Sequence, residues 1–392
     1  MKWENVYFWF FATLFLLCNS TCARNCNKTI PKDSIQPVSV SVYPLNPIIE
    51  TDKHKQYLNF DIVLKNNTLH TLQLVMMQIS VIDDKGELVA RKYLNQNGRL
   101  PSIAQIGNTI LSPGESIDIF NPFYDFDREI NVSNIKYEFY FDSTDSELSR
   151  DRNSARLPMD YDLAELMKIK TRVYIPKTQL YLPVKGRTII WDGHDFYSHH
   201  RRFPIGLSKN SGKKILANSN RYAYDFVTIN NKGEMFKNNP FEKENWFVFG
   251  KVVYAPGSGI VIETQNDVPD NSFENKSIKY PDIPTEMDSL GMGNHVIINH
   301  GNGEYSVILH MEKGSLQVKT GDRVVAGQKI GRVGFSGDAI FPHVHYTVMN
   351  GPNEQLYEGV PSNFRNYKLF TGNYFILVKK GRIDTGFIVE SY

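Results

Sequence analysis

Residues 36–145 read as a succession of short segments in which apolar residues alternate with polar ones or form brief apolar runs: SVSVYPL, LNFDIVLKN, LQLVMMQISVID, ELVARKYL, SIDIFNPF and IKYEFYFDS. A period of two sends successive side chains to opposite faces of a strand, so each segment can bury one face and wet the other. The turn signals DDKGE, NQNG and SPGES stand between them. Short strands at this spacing predict an antiparallel β-sandwich of immunoglobulin-like type over residues 30–147. His54 and His70 are isolated there, with no cluster of metal-binding or catalytic residues, so the expected role is support or binding.

A chain of 392 residues exceeds one ordinary domain, and the histidines mark where a second lies. Residues 148–184 read as a connector: the charged run SELSRDRNSAR spans its start, and YDLAELMKIK, expected to be a short helix, follows. Beyond it, over 185–392, the segments are again short, strand-like and punctuated by glycine, as in WFVFGKVVYA, NHVIINHG, YSVILHM and HVHYTVM. Eight of the ten histidines fall here: His194, His199, His200, His295, His300, His310, His343 and His345. Imidazole is the usual neutral nitrogen ligand and the usual general base near neutral pH. The three cysteines, Cys18, Cys22 and Cys26, all lie near the N-terminus. The body can therefore hold neither a disulfide framework nor a cysteine-based zinc site, and any metal must be bound by His and carboxylate.

The apolar run VYFWFFATLFLLC at 6–18 has the length of a signal-peptide core and is too short to span a bilayer comfortably. Residues 1–26 are expected to be a secretory or lipoprotein signal, with Cys18 or Cys22 as the acylated residue in the second case. Export to the periplasm, cell envelope or medium follows, and membrane attachment by a lipid anchor or an uncleaved signal stays open. A formal net charge of +2 argues against a nucleic-acid partner held by bulk electrostatics.

His343-Val344-His345 is the strongest local signal. On a strand, residues i and i+2 share a face, so both imidazoles can enter one cleft while Val344 enters the core. A structural pair is the plainer alternative. His310 closes an apolar strand and, alone, could equally be a core residue. Asp225 sits among aromatic residues in RYAYDFVTIN, where an unpaired charge is costly, so it pairs with Arg221 or binds a metal.

Several separated segments together carry a resemblance: AYDF around Asp225, FGKVVYAPGSGIV, GNHVIINHGNGEYSVILHM and GSLQVKTGDRVVAGQKIGRVGFSGDAIFPHVHY, in that order. Residues 185–355 resemble the lysostaphin-like, or LytM-type, zinc metallopeptidases of family M23. The resemblance implies a mainly β protein whose C-terminal half is a compact antiparallel β peptidase domain with one Zn2+ in a groove. It implies Asp225 and His345 as zinc ligands, and His310 and His343 as the catalytic histidines beside the metal. The family's first ligand is a His four residues before the Asp, but this chain has Arg221 there, and arginine stays protonated and cannot ligate. The segment WDGHDFYSHHRRF offers His194, His199 and His200 instead, with His200 the first choice and His199 the second.

These residue types suit hydrolysis. Two His and one Asp leave a fourth position on zinc for water. His310 can move a proton from that water to the leaving amine, and His343 can bind the developing oxyanion or share the base role. By the resemblance, the expected substrate is a peptide bond in bacterial peptidoglycan, in a cross-link or a stem peptide. A degenerate, non-catalytic domain that binds cell-wall peptides or a partner protein is the alternative. GQKIGRVGFSG lacks the GK[ST] ending of a phosphate-binding loop, and its glycines are expected to make tight turns. The polar stretch 264–291 is expected to be a loop at the groove rim or a disordered insert.

Overall fold

The computed structural model describes residues 36–144, 161–203, 205–207, 214–284, 286–288 and 290–391. The segment 1–26, read above as an export signal, lies outside the described residues. Val38–Tyr392 forms one compact unit and is mainly β. No helix among the described residues is long and apolar enough to cross a membrane.

Two antiparallel sheets enclose the N-terminal core. One consists of Val38–Tyr43, Asp61–Asn66 and Ser116–Phe120. The other runs Leu163–Lys170, Asn134–Ser143, Leu72–Ile82 and Leu88–Asn95, with Ile110–Leu111 added on Leu72–Ile82. The alternation seen in the sequence explains the packing: Ile62, Leu64, Ile117 and Ile119 from the first sheet meet Leu74, Met77, Ile79, Phe139 and Phe141 from the second. Each such side chain contributes about 1.5–3 kcal/mol by leaving water.

Residues 161–170 depart from expectation. Leu163–Lys170 is a strand, paired antiparallel with Asn134–Ser143, and not a helix. Its residues combine good helix formers with an every-second-residue pattern of greater burial, from Leu163 through Glu165 and Met167 to Ile169. The open edge of a sheet decided between the two, as tertiary pairing commonly does over local propensity.

The C-terminal core is built on a ten-stranded sheet. Its order is Arg323–Val324, Gly259–Gln265, Asn294–Asn299, Tyr305–Met311, Val344–Met349, Tyr224–Thr228, Gly186–Asp192, Ile388–Ser391, Phe364–Phe370 and Phe375–Gly381. Four consecutive strands in the middle matter most. Their register aligns Leu309 with His345, His345 with Asp225, and Asp225 with Asp192. One rung across the sheet thus gathers residues far apart in the chain. Between 264 and 291 the chain makes a short hairpin, Ser272–Glu274 on Ser277–Lys279, and is pinned by Val268 N donating to Asn294 Oδ1 at 2.9 Å.

The two cores meet through a small sheet of Arg172–Val173, Ile48–Thr51, Lys55–Leu58 and Asp125–Asp127. Ile48 from it packs into the C-terminal core. Glu50, on the same strand, is buried beside His194 Nδ1 at 2.9 Å and Arg382 Nη1 at 3.2 Å.

Candidate metal centre

Asp225 lies on the central strand Tyr224–Thr228, where every residue is buried. Three imidazole nitrogens surround its Oδ1: His345 Nδ1 at 3.2 Å, His343 Nε2 at 3.3 Å and His200 Nε2 at 3.6 Å. Arg221 is not its partner. That guanidinium turns away to Asp61 (Nη2 to Oδ2, 2.9 Å) and Glu358 (Nε to Oε2, 2.8 Å). Of the two alternatives for Asp225, pairing with Arg221 is thereby removed. Burial works to raise the Asp225 carboxyl, but the charges of His200 and His343 outweigh it and hold the group well below the ordinary carboxylate range.

His343 and His345 behave as their spacing predicts. Both face the cavity, and Val344 between them is buried in the C-terminal core. His343 Nδ1 donates to the Phe341 carbonyl at 2.8 Å, which leaves Nε2 directed at Asp225. Burial would lower the His343 pKa, yet Asp225 overrides this and raises it. His345 lies between Asp225 and Asn220, whose Oδ1 is 3.2 Å from Nε2. Burial dominates there and lowers its pKa to about 4, so the ring is neutral and able to ligate near pH 7.

His310, one residue before the end of the strand Tyr305–Met311, has a left-handed backbone, φ +61°. For a non-glycine residue this conformation costs about 1–3 kcal/mol, and such strain concentrates at functional sites. The ring is fixed by Nδ1 donating to the Ser336 carbonyl at 2.9 Å. That tautomer leaves a lone pair on Nε2. Burial, reinforced by the charges of His343 and His345, holds His310 well below the ordinary imidazole value. The Ser336 carbonyl is positioned by a close backbone approach at Gly337, φ +69°, where an added Cβ would lie 2.4 Å from the Gly291 carbonyl oxygen.

His199 and His200 separate in position. His200 is buried, with Nε2 towards Asp225 and Nδ1 2.7 Å from Asp192 Oδ2. The latter contact does not meet hydrogen-bond geometry. His199 is 63% exposed and directs Nδ1 to Asp192 Oδ2 at 2.9 Å. His194 is occupied by Glu50 and the Tyr222 carbonyl, at 2.9 and 2.7 Å, and does not line the cavity. His295 and His300 are likewise engaged elsewhere, with Glu263 and with Ser258 and Ser306.

Asp192 is the residue that sequence reasoning missed. Besides facing both histidines it accepts hydrogen bonds from Ser198 Oγ, His199 N and His200 N, and so folds the loop that carries His200. Burial would raise its carboxyl, but His199 and His200 outweigh that and lower it. Its only signal in the sequence was an Asp closing a strand just ahead of the histidines.

Among the described residues, three groups of side chains could each hold a metal: His200, Asp225 and His345; His310, His343 and His345; and Asp192, His199 and His200. The first has separations that suit zinc. Ligands at zinc distances of 2.0–2.1 Å in a tetrahedron lie about 3.3–3.4 Å from one another. The 3.2 and 3.6 Å separations bracket that edge, and exceed the roughly 2.7–2.9 Å of a direct charged hydrogen bond. The surrounding cavity, about 340 Å³, is walled on its apolar side by Trp191, Leu290, Leu309 and Phe341. Leu290 and Gly291 bring the end of the 264–291 stretch to its rim.

Residues 247–358 match the model of peptidase family M23. The match includes His310, His343 and His345 and excludes His200 and Asp225. Among curated relatives, the chain is 33% identical over 100 residues to the peptidoglycan DD-endopeptidase ShyA of Vibrio cholerae, covering 26% of this chain and 18% of that protein. It is 39% identical over 77 residues to the peptidoglycan DD-endopeptidase ShyC of the same organism, covering 20% and 16%. The matched region thus spans less than a fifth of either relative's length. Among solved structures, the catalytic domain of lysostaphin from Staphylococcus simulans aligns over 45% of this chain and 88% of that chain, at 20% identity and a TM-score of 0.23.

Proposed function

We propose, on the premise that residues 247–358 form a domain of peptidase family M23, that the chain is a zinc-dependent endopeptidase hydrolysing peptide bonds in the cross-links or stem peptides of bacterial peptidoglycan. The observation that carries this reading is the convergence of His200, Asp225 and His345 at the ligand separations of a zinc tetrahedron, with His310 and His343 facing the same cavity. The substrate class is supported by the two peptidoglycan DD-endopeptidases that resemble part of the chain. Export and an immunoglobulin-like N-terminal accessory domain complete the proposal.

His200, Asp225 and His345 would hold the metal. When bound, zinc supplies Lewis-acid polarisation of a carbonyl oxygen and a nucleophilic water near neutral pH. His310 does the proton work: its Nε2 lone pair accepts a proton from the attacking water, and the same atom returns it to the leaving amine. His343 complements it. With Nδ1 engaged by Phe341, its imidazolium form offers Nε2–H to the oxygen that gains negative charge at the scissile carbonyl. Asp192 holds the His200 loop, and the apolar wall of Trp191, Leu290 and Phe341 limits water around the peptide.

The direct test is digestion of purified sacculi with mass analysis of the released fragments. A new amine and a new carboxylate at one peptide position are expected, with release stopped by chelation. His310→Ala should retain zinc and lose roughly 10²–10⁴-fold in rate. Intact sacculi with a stoichiometrically zinc-loaded chain would overturn the proposal.

A further inference from the structure

Two of the three proposed ligands stand on paired strands in the middle of a sheet, but His200 stands on a loop. It opens the 3-10 turn His200–Arg202, which no regular hydrogen-bonded ladder holds in place. Sites carried by loops depend on whatever packs against them. On the peptidase side the supports are Asp192 and Asn218, whose Nδ2 donates to the His200 and Arg201 carbonyls at 3.1 and 3.3 Å. The remaining support comes from the N-terminal sheets.

Arg201, the next residue, is 1% exposed and has no carboxylate at ion-pair distance among the described residues. Its Nη2 donates to the Asn121 carbonyl at 3.2 Å, while Nε and Nη1 find no partner among the described residues. The guanidinium lies over the rings of Phe196, 4.9 Å from the centroid, and Tyr124, 5.6 Å from the centroid. Those rings stack on each other at 4.9 Å, so the loop's own Phe196 and the N-terminal Tyr124 form a single aromatic clamp. Arg202 adds a contact to Phe120 at 5.5 Å. Burying a guanidinium with two unsatisfied nitrogens costs stability. What that burial achieves is placement, because His200 is fixed one residue away.

We propose that the N-terminal sheets are a working part of the metal centre: Tyr124 and the Asn121 carbonyl grip Arg201 and thereby hold His200 in position to ligate. Tyr124 is a positioning residue that touches neither metal nor substrate. The inference rests on the zinc reading above, and the experiment separates the two. Zinc affinity of the full chain is measured by chelator competition, and backbone hydrogen exchange of residues 194–203 is followed in the metal-free chain.

Tyr124→Ala should weaken zinc by about tenfold or more, as loss of a ligand's supporting partner commonly does. It should also speed exchange in 194–203 while leaving Tyr224–Thr228 protected. Tyr124→Phe keeps the ring and should restore both. Tyr93→Ala, exposed on the strand Leu88–Asn95, should change neither. Phe196→Ala removes the same clamp from the loop side and gives the same readout if Tyr124→Ala does not fold. Unchanged zinc affinity in a folded Tyr124→Ala chain, with His200→Ala abolishing binding, would overturn this inference alone. A chain that binds no zinc at all would overturn both.

Discussion

Arg221→Met should destabilise the chain by about 3–5 kcal/mol, the usual consequence of removing one partner from a buried ionic group. The guanidinium is 1% exposed, its partners Asp61 and Glu358 are 5% and 12% exposed, and the contacts measure 2.9 and 2.8 Å. Screening by solvent is therefore slight. At an effective dielectric near 20, each contact carries about 6 kcal/mol of Coulomb attraction. Desolvation of three ions cancels most of that, so the intact group is worth little net. Removing only the cation leaves the desolvation of two carboxylates uncompensated, and that asymmetry sets the 3–5 kcal/mol. It also makes a second, opposite prediction: Arg221→Met combined with Asp61→Leu and Glu358→Met should recover most of the loss.

Urea unfolding of the metal-free chain, followed by circular dichroism, measures both variants on the same baseline. A loss below about 1 kcal/mol in Arg221→Met is what an exposed pair gives, and it would refute the claim that this arginine is a buried link. A triple variant no more stable than the single one would refute the desolvation argument separately.

Two further predictions concern the loop and the small sheet. His200→Ala should cost zinc affinity beyond the roughly 10–100-fold typical of losing a residue that only supports a ligand. His199→Ala should stay within that range, because its ring faces Asp192; equal losses in the two variants would sink the ligand choice. Burial works to raise the Glu50 carboxyl, but Arg382 and His194 outweigh it and lower it below its ordinary 4.5. A depressed folded value contributes stability that is complete above the unfolded pKa and is lost as pH falls through the folded one. Thermal melts of the metal-free chain should therefore decline below about pH 4.5, and Glu50→Gln should flatten that decline. An identical slope in both would dismiss the linkage.

The parts of the fold set by local periodicity were legible in the sequence. Alternation in LNFDIVLKN and IKYEFYFDS is what packs Ile62, Leu64, Phe139 and Phe141 into one core. The HVH triplet announced two imidazoles on one face, and Val344 is buried between them. Contacts between distant segments were another matter. Leu163–Lys170 became a strand because a neighbouring edge was free, a fact absent from its own residues. Asp192 entered the site because a register shift in the strand pair sets it opposite Asp225, and no local signal states a register.

Arg221 joins these two kinds of information. Locally it says only that no ligand can stand at that position, since arginine keeps its proton. Its partners supply the rest: one is Glu358, which follows the last site strand, and the other is Asp61, on an N-terminal strand. The same residue, on the turn just ahead of the strand Tyr224–Thr228, ties that turn to the N-terminal sheet that carries Asp61. Asn59 Nδ2 reinforces the tie by donating to the Arg221 carbonyl at 3.1 Å. From the link between the strands Ser116–Phe120 and Asp125–Asp127 come Asn121 and Tyr124, which close on Arg201 beside His200. A ligand carried on the sheet needs no outside support, whereas a ligand carried on a loop does. His200 on its loop is held from the N-terminal side by Asn121 and Tyr124, and the buried ions at Arg221 fasten the two cores to each other beside it.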